Sequence, residues 1–142
     1  MFRAVLTDNG AEFSDEAAIA ALLGEGPGET RLFYCDPRRS DQKGACERNH
    51  VEVRKLLPKG RGISFDDLDE VDAWFVGSMV NSEPRPSLMG LSPLALLRAA
   101  EPAIADAVAD ALGIVEVPYD QLDLTLAAVN RERAQRGLPP LA

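Results

Sequence analysis

Two carboxylates carry the sharpest chemistry in this 142-residue chain. Asp8 stands in Thr7-Asp8-Asn9-Gly10, directly after a short apolar run, so the pattern puts it at the carboxyl end of a strand. Open α/β sheets place their ligands at that end. Glu47 follows 39 positions later, inside a stretch with helical periodicity. A strand-end Asp and a helix Glu that converge hold a divalent cation through hard oxygen ligands. Two such ions clamp the attacking and leaving oxygens in phosphoryl transfer. Taken singly, Asp-Asn-Gly is an ordinary turn and Glu47 an ordinary solvated acid. Cys35, Cys46 and His50 offer softer ligands, but two cysteines and one histidine fall short of a four-ligand zinc site. Cysteine on a strand and on a helix face is usually core.

The charge distribution points to a second kind of chemistry. The chain has 15 Lys and Arg against 23 Asp and Glu, a net −8 that argues against a general nucleic-acid binder. Between Asp36 and Gly62, however, eight cations (Arg38, Arg39, Lys43, Arg48, Arg54, Lys55, Lys59 and Arg61) face four acids, leaving this strip at +4 and the remainder at −12. An acidic body with one basic strip suits a polyanion bound locally; a solvated charged face is the plain alternative. Lys59 and Arg61, in a Pro-Gly loop past Glu47, are placed to meet a phosphate backbone, and Arg85 in a later proline-rich loop is a further candidate.

Positioning these groups requires a particular set of elements. Phe2 to Leu6 and Arg31 to Cys35 read as short strands, with a helix capped at Ser14 and running to Leu23 between them. Strand, helix, strand over about 35 residues is a βαβ unit with parallel pairing. Gln42 to Leu57 reads as a helix that lines up Glu47, His50 and Arg54 on one face. Ser64-Phe65-Asp66-Asp67 resembles a capping box opening a helix with an apolar stripe of Phe65, Leu68, Val71, Phe75 and Met79. Asn81 to Gly90 reads as a loop, and Ser92-Pro93 as the start of another helix. Further helices are expected over Ile104 to Leu112 and Leu124 to Arg136. Two parallel strands do not make a stable sheet alone, so either more strands are supplied or the helices carry the core. The longest apolar run, Ala17 to Leu23, cannot span a bilayer, and the expectation is a soluble, cytoplasmic chain that meets no membrane and keeps its thiols reduced.

The order of the motifs is more specific than any one of them. Thr7-Asp8-Asn9-Gly10-x-Glu12-Phe13, Phe33-Tyr34-Cys35-Asp36-Pro37, Ser40-x-Gln42-Lys43-Gly44 and Glu47-Arg48-Asn49-His50 together resemble the Asp-Asp-Glu transposase and integrase core. The continuation through Arg54-x-x-Leu57-Pro58-Lys59-Gly60, Ser64-Phe65-Asp66 and Asn81-x-x-Pro84-Arg85-x-x-Leu88-x-Gly90-x-Ser92-Pro93 is similar to the IS-thirty family of insertion-sequence transposases.

The resemblance implies an α/β, ribonuclease H-like integrase core with an incomplete sheet over residues 1–97, followed by a C-terminal helical extension over 98–142. It implies DNA transposition: cleavage and strand transfer at phosphodiesters with two Mg²⁺ (or Mn²⁺) ions. Asp8 matches the second catalytic Asp and Glu47 the catalytic Glu, both as metal ligands. Lys43, Arg48, His50, Arg54, Lys55, Lys59, Arg61 and Arg85 are the candidate DNA contacts, transposon ends and target being the partners. The first catalytic Asp of such enzymes lies well upstream of the second, and only seven residues precede Asp8 here. The chain therefore reads as a C-terminal part, expected to be inactive alone and to self-associate or pair with a full-length transposase through its sheet edge. The alternative is a non-catalytic DNA-binding or transposase-pairing regulatory remnant.

Overall fold

The computed structural model describes residues 4–7, 15, 17–19, 31–36 and 44–141. They fall into two compact units, Met1–Arg48 and Asn49–Ala142. In the first, β1 (Ala4–Thr7) and β2 (Arg31–Tyr34) pair in parallel, Ala4 opposite Arg31 and Thr7 opposite Tyr34. The Cys35 N–H extends the ladder to the Thr7 carbonyl at 2.8 Å, and Thr7 and Cys35 are both buried. Parallel pairing matches the sequence expectation; β1 runs one residue further, to Thr7, and β2 ends one residue earlier, at Tyr34, because pairing rather than apolar content decides membership. Between the strands, residues 17–19 are helical, and the Asp15 carboxylate accepts the Ala18 N–H at 3.0 Å. The cap is thus Asp15, while Ser14 lies outside the described residues.

Helix α1 (Gly44–Leu56) carries Glu47 in its first turn and Arg54 and Lys55 in its last, signs that suit the helix dipole. Pro58 then ends the helical stretch, as the sequence requires, with Leu57 already turning into the core. Ser64 does cap, but only a 3₁₀ turn, Phe65–Asp67, through the Asp66 N–H at 3.2 Å. The capping box that opens α2 (Glu70–Ser82) lies five residues further on. Asp69 accepts the Asp72 N–H at 2.8 Å, and the Asp72 carboxylate accepts the Asp69 N–H at 3.2 Å. Both sites read Ser/Asp-x-x-Asp; the later one is chosen because it buries Val76, Met79 and Val80, while Phe65 stays 69% exposed.

Next come α3 (Pro93–Ala100), α4 (Pro102–Ala111) and α5 (Leu126–Gln135). Ser92 caps α3 through the Ala95 N–H at 3.1 Å, with Pro93 at the first helical position. The core of the helical unit gathers Leu56, Leu57, Val76, Met79, Val80, Val129 and Leu141. Residues beyond 97 therefore supply part of the same core as α1 and α2. Two α2 serines one turn apart pin the segment after α4: Ser78 Oγ accepts the Val115 N–H at 3.0 Å and Ser82 Oγ the Val117 N–H at 2.9 Å. That segment turns at Gly113, where φ is +58° and a Cβ would sit 2.4 Å from the Trp74 ring, so only glycine fits. The Asn130 amide clamps the tail by accepting the Leu141 N–H at 2.8 Å.

Charge also holds this unit together. Asp72 is fully buried and accepts from Arg133 of α5 and from Arg136 at its C-cap, while Arg133 also donates to the Pro139 and Asp67 carbonyls at 2.8 and 3.1 Å. Asp69, which accepts the Asp72 N–H and pairs with Arg136 at 2.6 Å, is held below the usual carboxylate range. Asp123 is lowered by the Thr125 hydroxyl and then by Arg131. Each ionises more easily folded than unfolded, so its contribution is present above the ordinary Asp value of about 3.9 and is lost as pH falls through the lowered folded value. The urea midpoint is expected to stay level from neutrality to about pH 5 and fall steadily below it. Asp69→Asn with Asp123→Asn should make that fall shallower. An unchanged acid limb in the double variant would remove these two groups as its cause. No single helix among the described residues is long and apolar enough to cross a membrane.

Candidate nucleic-acid interface

The face of α1 expected from the 3.6-residue period is present: Glu47, His50 and Arg54 are all exposed. After the helix, Pro58 to Gly62 forms a loop in which Gly60 and Gly62 both take φ +77°. Those left-handed positions turn and bend the chain between Lys59 and Gly62, and Lys59 and Arg61 are both exposed. A groove of about 320 Å³ opens there, lined by His50, Arg54, Leu57, Lys59, Ile63 and Phe65 among others.

The structure sorts the cations into two groups. Lys55 binds Glu52 and reaches Glu83 at 3.0 Å. Its ammonium is stabilised first by the Glu52 hydrogen bond, and Glu52 is correspondingly lowered by Lys55. Desolvation raises Glu83 beside them. Arg85 donates to the Asn49 side-chain oxygen at 2.6 Å and to the Val80 carbonyl at 3.2 Å, tying α1 to the end of α2. Arg98 pairs with Glu116 and Asp106, Arg131 with Asp123, and Arg133 and Arg136 with Asp72. By contrast Arg48, Arg54, Lys59 and Arg61 are exposed and form no ion pair with a described residue. Of the candidate DNA contacts, then, Arg48, Arg54, Lys59 and Arg61 present charge that no described carboxylate pairs. Lys55 and Arg85 spend theirs inside the protein.

Glu47 is an exposed carboxylate in the first turn of α1. Asp8 and Lys43 lie outside the described residues. Among the described residues no three His, Cys, Asp or Glu side chains come together as metal ligands, and the Cys46 side chain lies outside those described. Sequence reasoning missed Phe65 as part of the groove. Its position one residue after a helix-capping serine made it look like the start of an apolar stripe, and nothing local distinguishes a 3₁₀ turn from the first turn of an α-helix.

Comparison with known proteins finds homologues among insertion-sequence transposases. The chain is 35% identical over 90 residues to the transposase for insertion sequence element IS1086 of Cupriavidus metallidurans, covering 63% of this chain and 24% of that protein. It is 28% identical over 93 residues to the transposase for insertion sequence element IS4351 of Bacteroides fragilis, covering 66% and 26% respectively. The chain thus spans about a quarter of the length of these curated relatives. No family model matches it, and no solved structure does.

Proposed function

We propose that this chain is part of an Asp-Asp-Glu transposase of the IS-thirty type, and that its helical unit holds DNA by the phosphate backbone during transposition. The observation that carries the second half is the sorting of cations: every described Lys or Arg side chain after Arg61 is engaged within the protein, whereas Arg54, Lys59 and Arg61, in and just after the last turn of α1, form no ion pair with a described residue. Exposed cations clustered on an otherwise acidic chain offer a polyanion one local site of attraction. The parallel register of β1 and β2 supports the ribonuclease H-like reading of the first unit.

On the same reading Asp8 and Glu47 are the carboxylates that hold Mg²⁺ or Mn²⁺, whose chemistry is to activate a nucleophile and stabilise the leaving oxygen in phosphodiester cleavage and strand transfer. Glu47 suits that role as an exposed carboxylate with no described ion-pair partner. One carboxylate does not fix a two-ion site, and Asp8 lies outside the described residues.

The binding half is tested by fluorescence anisotropy on two unrelated duplexes over a salt series. Both should bind with similar affinity, and log Kobs should fall against log[salt] with a slope of about −3, near −0.9 per neutralised phosphate. Absence of binding at low salt, or binding indifferent to salt, would overturn it.

A further inference from the structure

We propose that the groove beside the basic loop takes an unpaired DNA base, stacked on Phe65, so that this unit prefers frayed or single-stranded DNA over intact duplex. The inference rests on the proposed backbone binding and deepens it by naming the form of DNA.

Four observations converge. Phe65 is 69% exposed, held on its 3₁₀ turn by the Ser64 cap, and lines the groove without joining the core cluster. Leu57, Pro58 and Ile63 give the groove further apolar lining. Its cations are Arg54 and Lys59, both exposed, and no carboxylate is among the lining residues. Its volume of about 320 Å³ lies at the small end of ligand sites, which run from about 300 to 1,000 Å³. Asp66 and Asp67, exposed on the same turn, follow Phe65 in sequence but do not line the groove.

An aromatic ring with further apolar lining and exposed cations is what a nucleotide needs. The base offers a π-face to the ring, and its phosphate pairs with the cations. Intact duplex keeps its bases stacked inside and offers this groove only phosphates, for which a phenyl ring has no use. A purely phosphate-binding surface would gain nothing from Phe65, and a purely packing Phe65 would not sit open beside unpaired cations.

The experiment compares binding of the full chain to a short oligothymidylate and to a duplex of matched charge, for the parent, Phe65→Ala and Phe65→Trp. The parent should favour the single strand. Phe65→Ala should lose about tenfold for the single strand while leaving the duplex unchanged, since base–aromatic stacking is read in that range by alanine substitution. Phe65→Trp should retain or exceed parental single-strand affinity. Because Phe65 is largely exposed, thermal melts of the three proteins should coincide. If the parent binds both DNAs with steep salt dependence but Phe65→Ala changes neither, the base-stacking inference fails and backbone binding stands. If the parent binds neither DNA at low salt, both fail.

Discussion

Asp72→Ala is expected to cost the helical unit about 3–5 kcal/mol, the loss that follows when one member of a buried ion pair is removed and the other is left uncompensated. Asp72 is fully buried, and Arg133, its nearest partner, is only 4% exposed. With the carboxylate gone, Arg133 keeps its bonds to the Asp67 and Pro139 carbonyls, but its charge has no counter-ion in a site closed to water. Arg136 is also released from Asp72, and the Asp69 N–H loses its acceptor in the capping box. Against a typical domain stability of about 5–15 kcal/mol, this is a large fraction. Chemical denaturation reads it directly. Asp72→Leu with Arg133→Met should recover much of the loss, because replacing both partners by apolar groups of similar volume is often neutral. A midpoint in Asp72→Ala displaced by the equivalent of less than about 1 kcal/mol would mean the pair is a surface contact in solution.

The same pair marks the boundary of what the sequence makes legible. Ser92-Pro93 was readable as a helix start because every group involved, the Ser92 hydroxyl, the proline ring and the Ala95 N–H, lies within four residues. The parallel pairing of the two strands was readable from their apolar runs and the helix between them. Asp72 was not. Its spacing from Asp69 announces a cap, but its burial depends on Arg133, 61 residues away, and no local pattern says which arginine a carboxylate meets. The misplaced start of α2 has a related cause. Ser64 and Asp69 offer equivalent local caps, and only the tertiary choice of which residues to bury decides between them.

The basic strip shows the same division in its charges. Its net excess was visible by counting, since charge is a property of composition. Which cations are available was not visible. Lys55 sits one residue from Arg54 in sequence, yet Glu83, 28 residues on, closes over it, while Arg54 lines the groove. Arg85 falls within the family-like motif, but its guanidinium is used to join the end of α2 to Asn49 of α1. Phe65 is the converse case: a residue assigned to the core by its apolar character that the fold leaves in the open.

That sorting yields the second large expected effect, on DNA rather than on stability. Replacing Arg54, Lys59 and Arg61 together by alanine should bring the salt slope of duplex binding from about −3 towards zero, each single replacement lowering it by roughly one. At low salt the triple variant should lose about a hundredfold in affinity, three charge-assisted contacts at about 1.5 kcal/mol each being partly replaced by other cations of the chain. The loss should be equal for unrelated sequences, because phosphate contacts carry no base information. Lys55→Met and Arg85→Met are the informative controls. Both also remove one positive charge from the same region, but from groups already engaged by Glu52 and Glu83 or by Asn49 and Val80. Their slopes should match the parent's, and Arg85→Met should instead lower the melting temperature by loosening α1 from α2. If Lys55→Met flattened the salt dependence as much as Arg54→Ala, net charge alone would set the binding, and the distinction between paired and unpaired cations would carry no functional weight.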